Sequence, residues 1–147
     1  MLKIVLFDID HTISDSRWRD PMLPPNATWD EYHSALEQDK PFTNMIELIN
    51  TLAEAGYSPV GFTVRPEKWR SLTNAWMMRH KVSLTHIFMR ASTDYSPAHI
   101  TKVAMIEENF TEAERKSIVF IVDDREDVCM MLTDAFGISS LQVRHKS

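Results

Sequence analysis

Two short apolar runs, residues 3–7 (KIVLF) and 117–122 (SIVFIV), each break off at a pair of aspartates. Asp8 and Asp10 follow the first run, Asp123 and Asp124 the second. Runs this short, apolar at consecutive positions and closed by polar residues, fit strands covered on both faces. Such strands belong to parallel sheets, whose neighbours are joined by crossover helices. The remaining pattern supplies those helices. Phe42, Met45, Ile46, Ile49, Leu52 and Ala53 recur at helical spacing, and Gly56 ends that helix. Residues 57–62 predict a second strand. Pro66 opens a helix whose inward stripe is Trp69, Leu72, Trp76 and Met77. Residues 86–89 predict a third strand, followed by a helix starting at Ser96-Pro97 with Ile100, Val103 and Ala104 facing in. Thr111 and Glu114 form a capping box, and a helix over about 125–136 stops at Gly137 before a last strand at 140–143. The expected fold class is therefore α/β, a three-layer arrangement with a mostly parallel central sheet and helices on both faces.

Residues 13–40 interrupt this alternation. Pro21, Pro24 and Pro25 break any long helix, and only 28–36 predicts a short one, capped by Thr28 with Glu31 three residues on. With 147 residues and no repeat or low-complexity linker, the chain reads as a single domain over 1–147, with 13–40 as a loop and short-helix insertion. The lone Cys129 excludes an internal disulfide, and no apolar run reaches the ~20 residues of a membrane span. The first residues run straight into acidic ones, unlike a signal peptide. A reducing, cytoplasmic setting is the expectation. The net charge of −5 argues against broad non-specific nucleic-acid binding and leaves room for a local basic pocket.

Open parallel sheets bind ligands at the carboxyl ends of their strands. On that edge the reading places Asp8, Asp10, Thr63, Asp123 and Asp124. Four carboxylates brought together repel one another unless a cation or protons neutralise them. A hard cation with oxygen ligands, Mg²⁺ before others, suits that set, and Mg²⁺ commonly bridges one or two carboxylates to a substrate phosphate. An aspartate can itself attack phosphorus, while a second moves the leaving-group proton. No histidine spacing suits zinc. Cys129, Met130 and Met131 read as core filling behind the paired aspartates. Trp29 and Tyr32 are candidates either for stacking on a base or for anchoring the insertion.

The ordered set FDIDHT, FTVRP, Lys102 and IVDDRED resembles the haloacid dehalogenase-like (HAD) phosphohydrolases, with their DxDxT loop, threonine motif, lysine and paired-aspartate motif. Within that superfamily, Met89-Arg90, Asp94 and Lys102, then IVDDREDVCMML, Gly137 and the Leu141-Gln142-Val143 strand, resemble the 3′-phosphatase domain of polynucleotide kinases and related stand-alone phosphatases. No glycine-rich kinase loop is present. The resemblance implies a HAD-type Rossmann-like fold with little or no cap. It implies Asp8 as nucleophile, Asp10 as general acid and then base, and Thr63 and Lys102 holding the transferred phosphoryl group. By the same likeness Mg²⁺ sits on Asp8, the Asp10 main-chain carbonyl and Asp123, with Asp124 in support, while Arg19, Arg65 and Arg90 contact substrate. His11 and Val64 stand where the family commonly has glycine, so His11, at the pocket's lip, bears on substrate choice.

The expected activity is Mg²⁺-dependent hydrolysis of a phosphomonoester, its partner a phosphorylated small molecule such as a nucleotide, or a nucleic-acid 3′-phosphate end. The rival is a protein of the same fold that sequesters a nucleotide without turning it over. A third possibility is the hydrolysis of small metabolite phosphates unrelated to nucleotides.

Overall fold

The computed structural model describes residues 2–146. Strand β1 (Ile4–Phe7) leads into a small two-stranded ribbon, β2 (Ser14–Asp15) against β3 (Lys40–Pro41), with helix α1 (Trp29–Ser34) between them. Then come α2 (Thr43–Glu54), β4 (Ser58–Pro66), α3 (Arg70–Arg79), β5 (His86–Arg90), α4 (Ala98–Asn109), the one-turn α5 (Glu112–Arg115), β6 (Ile118–Asp123), α6 (Glu126–Phe136) and β7 (Ser140–Gln142). Five strands form one parallel sheet in the order β5-β4-β1-β6-β7.

β1 lies at the centre and shows why its sequence is apolar without alternation. Ile4 and Leu6 join a cluster with Met105 and Ile106 of α4 and Val128 and Leu132 of α6. Val5 and Phe7 join the opposite cluster with Ile49 of α2 and Trp76 and Met77 of α3. Each side chain of the strand thus meets a helix layer, above or below. The chain builds outward from β1 to β4 and β5, then crosses back to place β6 and β7 on the other side. That reversal opens a crevice at the carboxyl ends of β1 and β6, where such sheets take their ligands.

The predicted capping boxes form as read. Thr28 accepts from the Glu31 amide while the Glu31 carboxylate accepts from the Thr28 amide, and Thr111 and Glu114 repeat the arrangement. Other expectations need correction. The second strand continues past Phe62 to Pro66, and a 3-10 turn at Glu67–Trp69 delays α3 to Arg70. In α4 the buried face is Ala98, Thr101, Lys102, Met105 and Ile106, while Ile100 is exposed and Val103 and Ala104 are half-buried. The helix is turned so that Lys102 enters the interior, which carries Ile100 outside. Met130 and Met131 also lie on the outer side of α6, which buries Val128, Cys129 and Leu132 instead. Positions 130 and 131 fall about 100° and 200° beyond Cys129 around the helix, away from the sheet. Among the described residues no helix is long and apolar enough to cross a membrane.

Gly137 ends α6 with φ 67°, and its amide bonds the Thr133 carbonyl. No neighbour lies within 4 Å of where a Cβ would sit, so replacement costs only backbone conformation. Gly137→Ala is expected to lower unfolding free energy by about 1 kcal/mol in urea titration, with the m-value unchanged.

Candidate active site

The turn after β1 brings two aspartates to one cleft. Asp8 still follows strand register, its amide bonding the Val122 carbonyl at 2.9 Å. The chain then folds back sharply: the amides of Thr12, Ile13 and Ser14 all converge on the Ile9 carbonyl. His11 passes through this turn at φ 64°. That is a left-handed conformation costing an ordinary side chain on the order of 1 kcal/mol, and it accounts for the glycine common here in the resembling proteins.

On the β6 side of the crevice, Lys102 enters from α4 and is almost wholly buried. Its Nζ donates to Asp8 Oδ1 at 2.9 Å and to Asp123 Oδ2 at 2.6 Å. Thr12 Oγ1 donates to the other Asp8 oxygen at 3.0 Å. Asp123 Oδ1 accepts from the Arg125 amide at the head of α6. Burial pushes the Asp8 carboxyl up to about 6, with the nearby Asp124 adding to the shift and Lys102 opposing it. Asp123 and Asp124 are raised as well, chiefly by burial. Burial would lower the Lys102 ammonium, but Asp123 and Asp8 outweigh it and hold it charged.

Two carboxylates therefore share one ammonium with a third close by, and oxygens of Asp8, Asp123 and Asp124 lie within 4.8 Å of one another. An all-oxygen donor set with surplus negative charge fits a hard divalent cation. The Asp10 main-chain carbonyl accepts no hydrogen bond from the described residues, so it too is open to a cation. The Asp10 carboxylate is engaged elsewhere.

That carboxylate faces two buried guanidinium groups. Arg65, at the end of β4, donates to it through Nε and Nη2, and Arg19, from the 3-10 turn at Arg17–Met22, through Nη2 at 2.9 Å. Burial works to raise the Asp10 carboxyl, but Arg65 and then Arg19 prevail and hold it well below the usual carboxylate range. Behind the arginines stands Asp39, accepting from Arg19 Nε at 2.8 Å and Nη2 at 2.7 Å and from Trp18 Nε1 at 2.8 Å. Arg19 Nη1 bonds the Tyr32 carbonyl, and Arg65 also reaches Ser14 and Thr73. Arg19 is fully buried with its donors committed to the protein, so in this structure it braces Asp10. Asp39 belongs to no motif in the sequence. Thr12 was visible only as the last letter of DxDxT.

Thr63 lies fully buried within β4, three residues before its end, its hydroxyl accepting from the Arg65 amide at 3.1 Å. Arg90, at the end of β5, donates from Nη2 to the Ser96 carbonyl and Thr101 Oγ1, while its buried Nε has no partner among the described residues. His11 lines the cleft with Nε2 3.6 Å from Asp20. The cleft over these groups has a volume of about 550 Å³, and beyond the carboxylates it is walled by Trp29, His33 and Trp69. Burial, helped by Arg65 and Arg19 against the pull of Asp10, lowers His33 to about 4, so its ring is neutral at pH 7.

A sequence-family model described as the polynucleotide kinase PNKP phosphatase domain matches residues 2–147. The chain belongs to that family. It is a HAD-type phosphatase domain. Among solved structures, a chain of the Pnkp1/Rnl/Hen1 RNA repair complex is similar at TM-score 0.83 and 23% identity, over 97% of this chain and 42% of that one. A HAD-superfamily hydrolase from Ehrlichia chaffeensis matches at TM-score 0.56 and 19% identity, over 96% and 92% of the two chains. The magnesium-bound HAD-hydrolase YfnB from Bacillus subtilis matches at TM-score 0.65 and 13% identity, over 95% and 85%. These likenesses show the shared fold. The present chain spans less than half the length of the repair-complex chains it matches. No curated protein matches it.

Removing Asp39 would leave two buried guanidinium groups short of negative charge. Asp39→Ala is expected to destabilise the fold by about 3–5 kcal/mol, read as a lower urea midpoint.

Proposed function

We propose that the chain is a Mg²⁺-dependent phosphomonoesterase working through an aspartyl-phosphate at Asp8, on nucleotides or nucleic-acid 3′-phosphate ends. Residues 1–147 would act as one catalytic domain, with 13–40 bracing the site. One observation carries the reading: Asp8 lies at the cleft floor between Lys102 and Thr12, inside a cluster of three carboxylates, with Asp10 beside it on the same cleft. The family match supports the phosphatase chemistry, and the magnesium-bound relative supports the choice of cation.

In this mechanism the substrate phosphate enters over Asp8. Lys102 and Thr12 hold the two Asp8 oxygens, fixing the carboxylate for attack on phosphorus. The Thr63 hydroxyl and Lys102 would steady the phosphoryl oxygens. A cation on Asp8, the Asp10 carbonyl and Asp123, supported by Asp124, would neutralise the approaching phosphate and so lower the repulsion between two anions. Asp10 in this geometry is ionised, the form that takes a proton from water when the Asp8–phosphate bond is hydrolysed. To protonate the leaving oxygen in the first half it must carry a proton, which the negative charge of a bound phosphate favours. Arg65 and Arg19 hold it on the reaction line in both halves. Arg90 lines the cleft with no carboxylate paired to it among the described residues, which leaves its charge available to substrate.

Asp8→Asn is expected to reduce phosphate release by about a thousandfold or more while circular dichroism and thermal unfolding stay near wild type. Substantial turnover by a well-folded variant would sink the covalent mechanism. Chelation with EDTA should abolish release, and added Mg²⁺ should restore it. Activity persisting after exhaustive chelation would remove the metal from the scheme.

A further inference from the structure

Beyond the phosphate floor, the cleft has one aromatic wall and an acidic rim. Trp29 and His33 of α1 stack with ring centroids 5.8 Å apart and planes at 21°. Trp69 continues the wall 6.2 Å from His33. The neighbouring Tyr32 is buried beneath Arg19, with the guanidinium 4.5 Å above its ring, and so serves as an anchor. Trp29 is different. It keeps 48% of its surface exposed beside the cleft, although His33 stacks with its ring. Flat, neutral rings in this position suit a nucleobase, since every base has a π-face to lay on them.

The rim argues about how much of a nucleic acid could follow that base. Asp20, Asp30 and Asp94 stand along it. The lysines and arginines lining the cleft are, with one exception, already paired with carboxylates: Lys68 with Asp30, Arg125 with Asp127, Arg65 with Asp10, and Lys102 with Asp8 and Asp123. Arg90 is the exception among the described residues. A polynucleotide brings one negative charge per nucleotide, and proteins that hold such a strand line its path with unpaired cations. Here a second or third phosphate would meet Asp20 and Asp94, while Asp30 and Lys68 cancel each other's charge. The cleft's 550 Å³ also falls within the range of roughly 300–1,000 Å³ typical of pockets for one small ligand.

We propose that the cleft takes a single nucleotide unit, a nucleoside monophosphate, with its base against Trp29, His33 and Trp69 and its phosphate over Asp8, and that the acidic rim disfavours longer strands. This rests on the phosphatase reading above and narrows its substrate class.

The test compares phosphate release by the full chain with Mg²⁺ from nucleoside 3′- and 5′-monophosphates, from short oligonucleotides ending in the same 3′- or 5′-phosphate, and from ribose 5-phosphate. The better mononucleotide is expected to exceed both its oligonucleotide counterpart and ribose 5-phosphate by about tenfold or more in kcat/KM. Trp29→Ala should raise KM for the mononucleotide roughly 5- to 100-fold with a smaller change in kcat, shrinking its advantage over ribose 5-phosphate. Asp30→Lys, at an exposed position, should raise kcat/KM for the oligonucleotide several-fold and make it fall with added salt. An oligonucleotide turned over as well as the mononucleotide would overturn the single-unit proposal, and ribose 5-phosphate turned over as well would overturn the base subsite. Equilibrium binding to the Asp8→Asn protein, followed by tryptophan fluorescence, reads the same preferences without catalysis. Mononucleotide binding at least tenfold tighter than oligonucleotide or ribose 5-phosphate would uphold the subsite even if no compound were hydrolysed, a result that would count against the phosphatase reading alone. Equal or weaker binding would overturn the subsite whatever the turnover.

Discussion

One buried ammonium group ties helix α4 to the ends of two neighbouring strands that it otherwise meets through apolar packing. Lys102 Nζ reaches from α4 to Asp8 at the end of β1 and to Asp123 at the end of β6. Each of these charges has lost water, and a buried ion pair repays that loss only when its geometry is good. Short bonds to both carboxylates, with Thr12 and the Arg125 amide satisfying further oxygens, supply that geometry. The rotation of α4, the burial of Thr101 and the outward placement of Ile100 all follow from bringing this one lysine inside.

The other half of the site has a separate foundation. Asp10 is held by Arg65 from the sheet and Arg19 from the insertion, and both are anchored by Asp39 just before β3. The insertion therefore does more than cover the strand ends: it contributes a guanidinium and a carboxylate to the support of a proposed proton carrier. It also presents Trp29 and His33 to the cleft. Orientation of the reacting groups and shape of the ligand space thus depend on the same stretch of chain.

Much of this was legible in the sequence. The strands announced themselves as apolar runs because both faces are covered, and the two capping boxes as paired side chains at fixed spacing. Asp8, Asp10, Lys102 and Asp123 could be picked out as an ordered set, and the structure brings Asp8, Lys102 and Asp123 into direct contact. What stayed hidden depended on direction in space. Met130 and Met131 look like core residues until the phase of α6 is known, and an arginine offers the same letter whether it faces ligand or carboxylate. Asp39 was invisible for a related reason: the partners of its carboxylate lie 20, 21 and 26 residues away, with no periodicity to point at them.

The support of Asp10 has a thermal consequence. Two guanidinium groups and the Asp39 carboxylate are kept from water there, and Asp10 is largely so, at a desolvation cost that falls as temperature rises, because ion hydration carries a strongly negative entropy. Apolar burial gains no comparable advantage on heating. The scaffold around the proton carrier should therefore respond to warming unlike the two apolar layers it sits on, with its ionic contribution weighing more heavily as the protein approaches its unfolding transition.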